Sequence, residues 1–151
     1  MKLGELEQEE DAILFMAGVI TAEAGGKGDG AIACAWVIKN RVDSDGFQDT
    51  LAEVLVAPGQ FTVVNKDPAK CSGWIYEGEL ISIVVNDVKY YVSKPTREAI
   101  EIAKDVYLRG EHTDINTILN GRLFWKSART DVPEKASPIQ IPKPGGNKFH
   151  Y

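Results

Sequence analysis

Residues that build metal or disulfide frameworks are scarce in this chain of 151 residues. There are two cysteines, Cys34 and Cys71, and two histidines, His112 and His150, and the cysteines lack C-x-x-C spacing. A tetrahedral metal site normally takes at least one ligand pair from a short turn, so neither a metal nor another cofactor is expected. A chain of this length buries roughly 70% of the surface its unfolded form exposes and needs no cross-link to hold a core. Cys34, inside AIACAW, therefore reads as a small buried thiol. No apolar run approaches the roughly 20 residues of a membrane span. The opening MKLGELEQEED is acidic where a secretory signal is basic and then apolar, so a product made in the cytoplasm with no signal peptide visible, or a mature or excised domain, is expected. An excess of basic charge is missing too: 17 Lys/Arg face 22 Asp/Glu, a net −5, which is a poor electrostatic base for nucleic acid. The seven prolines and fourteen glycines are near average and exclude collagen-like and low-complexity classes. With no internal repeat and no dividing linker, residues 1–151 are expected to form a single domain.

Charge is unevenly spread. Asn116 to Tyr151 holds six Lys/Arg against two Asp/Glu. Either that end faces something anionic or its lysines are simply solvated.

Apolar residues dominate the first third of the chain. From Glu9 to Ala24, Ile13, Met16, Ala17, Ile20 and Ala24 recur at helical spacing, while Leu14, Phe15 and Val19 fill other faces. Such a helix belongs at the centre of a fold, with Gly25-Gly26 as its stop. A second helix is expected from Gly30 to Val42, with Ala31, Ala35, Ile38 and Val42 on one stripe, Trp36 packing inside, and the polar Lys39, Asn40 and Arg41 coming only at its end. Leu51 to Val56 is a short helix ended by Pro58-Gly59. Leu80 to Val85 and Val88 to Val92 read as strands joined through Asn86-Asp87, the length and chemistry of a two-residue hairpin turn. Pro95 to Gly110 returns to helix, with Pro95 in its first turn. Short strands are expected at Leu123-Phe124-Trp125, Ile139 to Ile141 and Lys148 to Tyr151.

Between Asp11 and Asp29 there is one acid, Glu23, at the end of the first helix in VITAEAGG. At about 100° per residue it lies near −80° from Ile13, on the border of the apolar stripe. Burial disfavours the charged form of a carboxyl, and a helix C-terminus adds negative potential that acts the same way. A carboxyl kept protonated is what a general acid needs to give a proton to a glycosidic oxygen. The alternative is an ordinary exposed carboxylate beside the glycines, and periodicity does not decide between them.

The run ITAEAGGKGDGAIACAWVIKNRV resembles the signature of the SleB-type cell wall hydrolase family, the spore cortex-lytic enzymes with their phage and vegetative relatives. In that family an A-E-A motif precedes a glycine-containing loop and a helix ending in N-R-V. Further matches follow in the same order: Gly59-Gln60-Phe61-Thr62, the alanine-containing helix from Ala99 to Gly110, the aromatic strand Leu123-Phe124-Trp125, and Gly145-Gly146-Asn147-Lys148-Phe149.

The resemblance implies an α+β, mainly helical, lysozyme-like fold with a small β portion and an inserted hairpin. It also implies cleavage of peptidoglycan glycan strands between N-acetylmuramic acid and N-acetylglucosamine, with Glu23 as catalytic acid. Many members are lytic transglycosylases, which need one carboxyl and leave a 1,6-anhydro end. A hydrolytic muramidase would need a second acid, for which Asp29, Glu53, Asp67, Glu77 and Glu79 are candidates. A non-catalytic peptidoglycan-binding or structural component of a phage or secretion assembly is the alternative from another class. Gln60, Phe61, Trp125 and Asn147 are the substrate-binding candidates, although an aromatic ring also packs readily in a core. The resemblance places the action at the cell wall or spore cortex. A phage-encoded origin with a holin-like exit, or a wall-targeting partner protein, would account for a chain without a signal.

Departures from the family pattern are specific. Gly25 and Lys27 stand near places where an arginine and a second glutamate are usual, and Asn147 stands where a histidine is frequent. Lys70 to Tyr91 looks like an insertion that forms one wall of a cleft or decorates the surface.

Overall fold

The computed structural model describes residues 3–44, 48, 50–119, 124–126, 139–140 and 148–150. The architecture is α+β and mainly helical: α1 (Leu3–Ala24), α2 (Gly28–Val42), α3 (Leu51–Val56), a hairpin of β1 (Leu80–Val85) and β2 (Val88–Ser93), α4 (Arg97–Tyr107) and α5 (Thr113–Leu119). The strands β3 (Phe124–Lys126), β4 (Ile139–Gln140) and β5 (Lys148–His150) make a second, antiparallel sheet in the order β3-β5-β4.

Helix α1 is the axis of the core. Phe15, Met16, Ala17, Val19 and Ile20 are fully buried, and α2, α3, α4 and the hairpin all pack on it. Each large apolar side chain enclosed in this way contributes about 1.5–3 kcal/mol, so a helix apolar nearly all round is stable only when surrounded. The helix starts at Leu3 rather than Glu9. Leu, Glu and Gln are good helix formers, and acids near an N-terminus interact favourably with the macrodipole, so the acidic start extends the helix without needing a core face. Among the described residues no helix is long and apolar enough to cross a membrane.

Gly25 and Gly26 stop α1 as expected, with φ of +79° and +77°. Gly26 also lies where a Cβ would meet the Thr96 hydroxyl at 2.5 Å. That contact belongs to a joint between the end of α1 and the start of α4. The Thr96 amide donates to Thr21 Oγ1 (3.2 Å), and the Thr96 hydroxyl donates to the Gly26 carbonyl (3.1 Å) while accepting from the Ala99 amide (3.1 Å). Thr96 is thus the N-cap of α4, and Pro95 lies before the helix rather than in its first turn. A threonine hydroxyl can satisfy an orphan amide of the first turn, which proline cannot.

The hairpin turns at Asn86 and Asp87 (φ +52° and +65°), pairing Val85 with Val88. Both residues tolerate the left-handed region that a type I′ turn demands. At the other end of the core, Trp36 is buried and donates Nε1–H to the Glu111 carbonyl (3.0 Å), and Asn40 donates to Asn116 Oδ1 (3.0 Å), tying α2 to the α4–α5 connection and α5.

Candidate active site

Glu23 sits one residue from the end of α1 and is half-buried. The end of a helix leaves carbonyls without intrahelical partners. Here the Ala22 carbonyl, adjacent to Glu23, accepts from the Trp74 amide at 3.1 Å, while the Thr21 carbonyl accepts from Gly25 (2.9 Å). The chain from Cys71 to Trp74 is thereby strapped across the end of α1. Gly73 makes the close approach possible: a Cβ there would lie 2.6 Å from the Ala22 carbonyl oxygen and 2.7 Å from Val63 Cγ1, at a φ of +82°. Ser72 holds the strap to the preceding loop, its amide on the Thr62 carbonyl (3.4 Å) and its hydroxyl on Thr62 Oγ1 (3.1 Å). The segment Gln60 to Val63, the strap and the end of α1 that carries Glu23 are therefore contiguous.

On the α2 side, Cys34 and Arg41 lie two helical turns apart on one face. Both lie within electrostatic reach of Glu23. Arg41 is 2% exposed, and burial pulls its guanidinium down to about 10, while the neighbouring Cys34 and Glu23 act in the opposite sense. Burial first, and Glu23 second, push the Cys34 thiol well up, so it is neutral at physiological pH and a poor nucleophile. Glu23 is thus a carboxyl within electrostatic reach of a cation withdrawn from water. The guanidinium carbon lies 4.8 Å from the centre of the Phe61 ring. Arg41 thus stands on the Phe61 ring from the loop after α3 while lying within electrostatic reach of Glu23 at the end of α1.

The binding candidates fall in different places. Phe61 is buried and, besides carrying Arg41, lines a pocket of about 190 Å³ with Ala57, Pro58, Val64 and Tyr90. Gln60 is half-buried in the turn where its amide donates to the Ala57 carbonyl (3.2 Å). Trp125 lies on β3 opposite Phe149, and its side chain is outside the described residues, as is the whole of Asn147.

The five further carboxylates have other local roles. Asp29 is exposed in the first turn of α2, where the dipole favours it. Glu53 accepts from Thr50 Oγ1 (2.8 Å), and Asp67 caps a 3₁₀ turn, Pro68–Lys70, through the Ala69 amide (2.9 Å). Glu77 and Glu79 both hold the Lys94 ammonium (2.9 and 3.0 Å), and Glu77 above all pushes the lysine's pKa up.

Sequence reasoning did not identify Arg41 or Trp74 as part of this neighbourhood. Arg41 stands in the polar end of α2, where such residues are ordinarily solvated, and the proximity of Trp74 depends on a hydrogen bond between residues far apart in the chain. Cys34 and Cys71 are both free thiols; Cys71 donates weakly to the Tyr91 carbonyl (3.3 Å). Asp105, Glu111 and His112 place potential ligand atoms within 4.8 Å of one another after α4, but Arg109 already pairs with Asp105 there.

Comparison with known proteins gives a consistent picture. Residues 25–140 match the family model described as Cell Wall Hydrolase, a span that includes Gln60, Phe61 and Trp125 and begins two residues after Glu23. The solved catalytic domain of the Bacillus cereus SleB protein is 22% identical, with a TM-score of 0.58, covering 93% of this chain and 90% of that one. The catalytic domain of the germination-specific lytic transglycosylase SleB from Bacillus anthracis is 21% identical, with a TM-score of 0.59, covering 93% and 94%. At these identities the likeness is one of fold, and the fold is the lysozyme-like one. No curated protein matches the chain.

Proposed function

Because the chain belongs to the cell wall hydrolase family, and is thus a peptidoglycan-degrading enzyme, we propose that it is a lytic transglycosylase. It would act at the cell wall or spore cortex as one catalytic domain, cutting glycan strands between N-acetylmuramic acid and N-acetylglucosamine. The observation that carries this reading is a half-buried carboxyl at the end of the central helix, electrostatically coupled to a buried arginine, while Glu53, Asp67, Glu77 and Glu79 are engaged elsewhere and Asp29 is exposed.

In the proposed cycle the Glu23 carboxyl gives its proton to the glycosidic oxygen as the bond from that oxygen to muramic acid C1 breaks. The resulting carboxylate stabilises the positive charge that develops at C1. It then removes the proton from the C6 hydroxyl, and O6 closes on C1 to give the 1,6-anhydro end, restoring the acid without consuming water. The two half-reactions make opposite demands. Burial favours a neutral carboxyl and a cation favours the carboxylate, so a half-buried Glu23 within electrostatic reach of Arg41 has support for each state in turn. General acid–base catalysis of this kind contributes about 10²–10⁴-fold.

Clearance of purified cell walls by wild type and Glu23→Gln, with mass analysis of the released fragments, tests the proposal. The expected result is clearance by wild type alone, with fragments one water lighter than reducing-end products. Reducing ends would indicate a muramidase that uses a second carboxylate. Equal clearance by the two chains would remove Glu23 from the mechanism, and no clearance by either would favour a binding or structural role.

A further inference from the structure

We propose that Trp74, braced by Tyr76, is a stacking platform for an N-acetylhexosamine ring at the end of α1 that carries Glu23. The inference rests on the glycan-cleaving reading above and adds to it a subsite residue outside the motifs that carry the family resemblance. Trp74 is the one exposed aromatic among the residues whose side chains are described, 48% exposed, whereas Phe15, Trp36 and Phe61 are buried and Tyr76, Tyr90, Tyr91 and Tyr107 half-buried. A large apolar ring left in water is an informative observation when something holds it there.

Several contacts hold it. Its own amide is bonded to the Ala22 carbonyl, one residue from Glu23, and Gly73 lets the backbone lie directly on the helix end. The Tyr76 ring meets the indole edge to face, with centroids 5.5 Å apart and planes at 63°. Tyr76 is fixed in turn by its amide on Ser93 Oγ (2.8 Å), whose hydroxyl donates to the Lys94 carbonyl (2.9 Å), and the Lys94 ammonium stands 6.0 Å from the Tyr76 ring. An indole face of this kind suits the C–H face of a pyranose, which is apolar while its rim is hydroxylated. Because the ring is already ordered, little side-chain freedom is lost when a sugar settles on it. Polar groups suited to the sugar rim lie close by, in the Ser72 hydroxyl of the strap and the Thr62 hydroxyl it donates to.

The test uses the full chain in the Glu23→Gln background, which holds cleavage off, with peptide-free glycan strands as the probe and calorimetry as the readout. Trp74→Ala in that background is expected to weaken binding about tenfold, and Trp74→Phe, which keeps a ring, to stay within about threefold of the parent. In the active chain Trp74→Ala is expected to raise KM with kcat unchanged, the mark of binding shared by ground and transition states. Equal affinity with and without Trp74, a Trp74→Phe chain as weak as Trp74→Ala, or no binding by the parent would each overturn the platform. Wall clearance that still depends on Glu23 would then show that the glycan-cleaving reading survives the loss of the platform; clearance independent of Glu23 would overturn that reading instead.

Discussion

The seam between α1 and α2 and the strap with its continuation to Glu79 meet at the end of α1, yet they are built in opposite ways. The seam is apolar and enclosed: Phe15, Met16, Ile20, Cys34 and Ile38 are fully buried, and the one arginine within it is coupled to Glu23. The strap is largely exposed and polar, held by backbone hydrogen bonds, a glycine contact and the ion pairs of Lys94 with Glu77 and Glu79. A catalytic acid needs surroundings that do not change between turnovers, and a packed core supplies them. A long substrate needs an accessible surface, and the strap offers one. Chemistry and binding are therefore expected to separate by mutation.

The largest effect is expected in the seam. Glu23→Gln should lower the rate of glycan cleavage at least 10³-fold, equivalent to about 4 kcal/mol of barrier, with little change in the thermal unfolding midpoint. A variant that loses both together would show that the acid is structural and would break the distinction between the two regions.

Arg41→Met comes next. Removing one partner of a buried charge pair costs about 3–5 kcal/mol, and the half-exposure of Glu23 reduces the expectation to about 2–3 kcal/mol, measurable by denaturant unfolding. The same variant has a pH signature whose sign follows from the coupling. The Glu23 charge favours protonated Arg41, so by reciprocity the guanidinium favours ionised Glu23, and without it the neutral carboxyl persists to higher pH. The alkaline limb of the pH–rate profile should therefore move upward. A downward move, or an unmoved limb with normal stability, would mean that Arg41 does not act on the acid.

In the strap, Gly73→Ala should cost about 1–3 kcal/mol, because the new Cβ meets a backbone oxygen and the residue holds a left-handed φ. It should impair glycan binding more than it slows the bound reaction. Smaller again is Thr96→Val, which removes the N-cap hydroxyl of α4 and should lower stability by about 1 kcal/mol through unfolding of the α1–α4 joint. Smallest of all, reducing agent should leave the unfolding midpoint unchanged, since Cys34 and Cys71 are unpaired thiols.

How much of this was legible beforehand follows the same division. The spacing of Ile13, Met16, Ala17 and Ile20 located the central helix, and Asn86-Asp87 located the hairpin, because local periodicity and turn chemistry act over a few residues. Glu23 was legible as an acid at the edge of an apolar stripe. Arg41 was not, since a basic residue near a helix C-terminus has an ordinary dipole-based explanation and its burial depends on Phe61, twenty positions away. The position of Trp74 depends on Ala22, more than fifty residues earlier, and no local pattern encodes such a contact. Pro95 misled for a physical reason: proline suits a first turn, but the hydroxyl of Thr96 makes the stronger cap.

The claim that one carboxyl carries the whole reaction is tested most directly by digesting peptidoglycan in water enriched in the heavy isotope of oxygen and weighing the new glycan ends. The account predicts 1,6-anhydro ends that contain no heavy oxygen, since O6 of the same sugar closes on C1. Ends carrying one heavy oxygen at C1 would contradict it, because water would then have been the nucleophile.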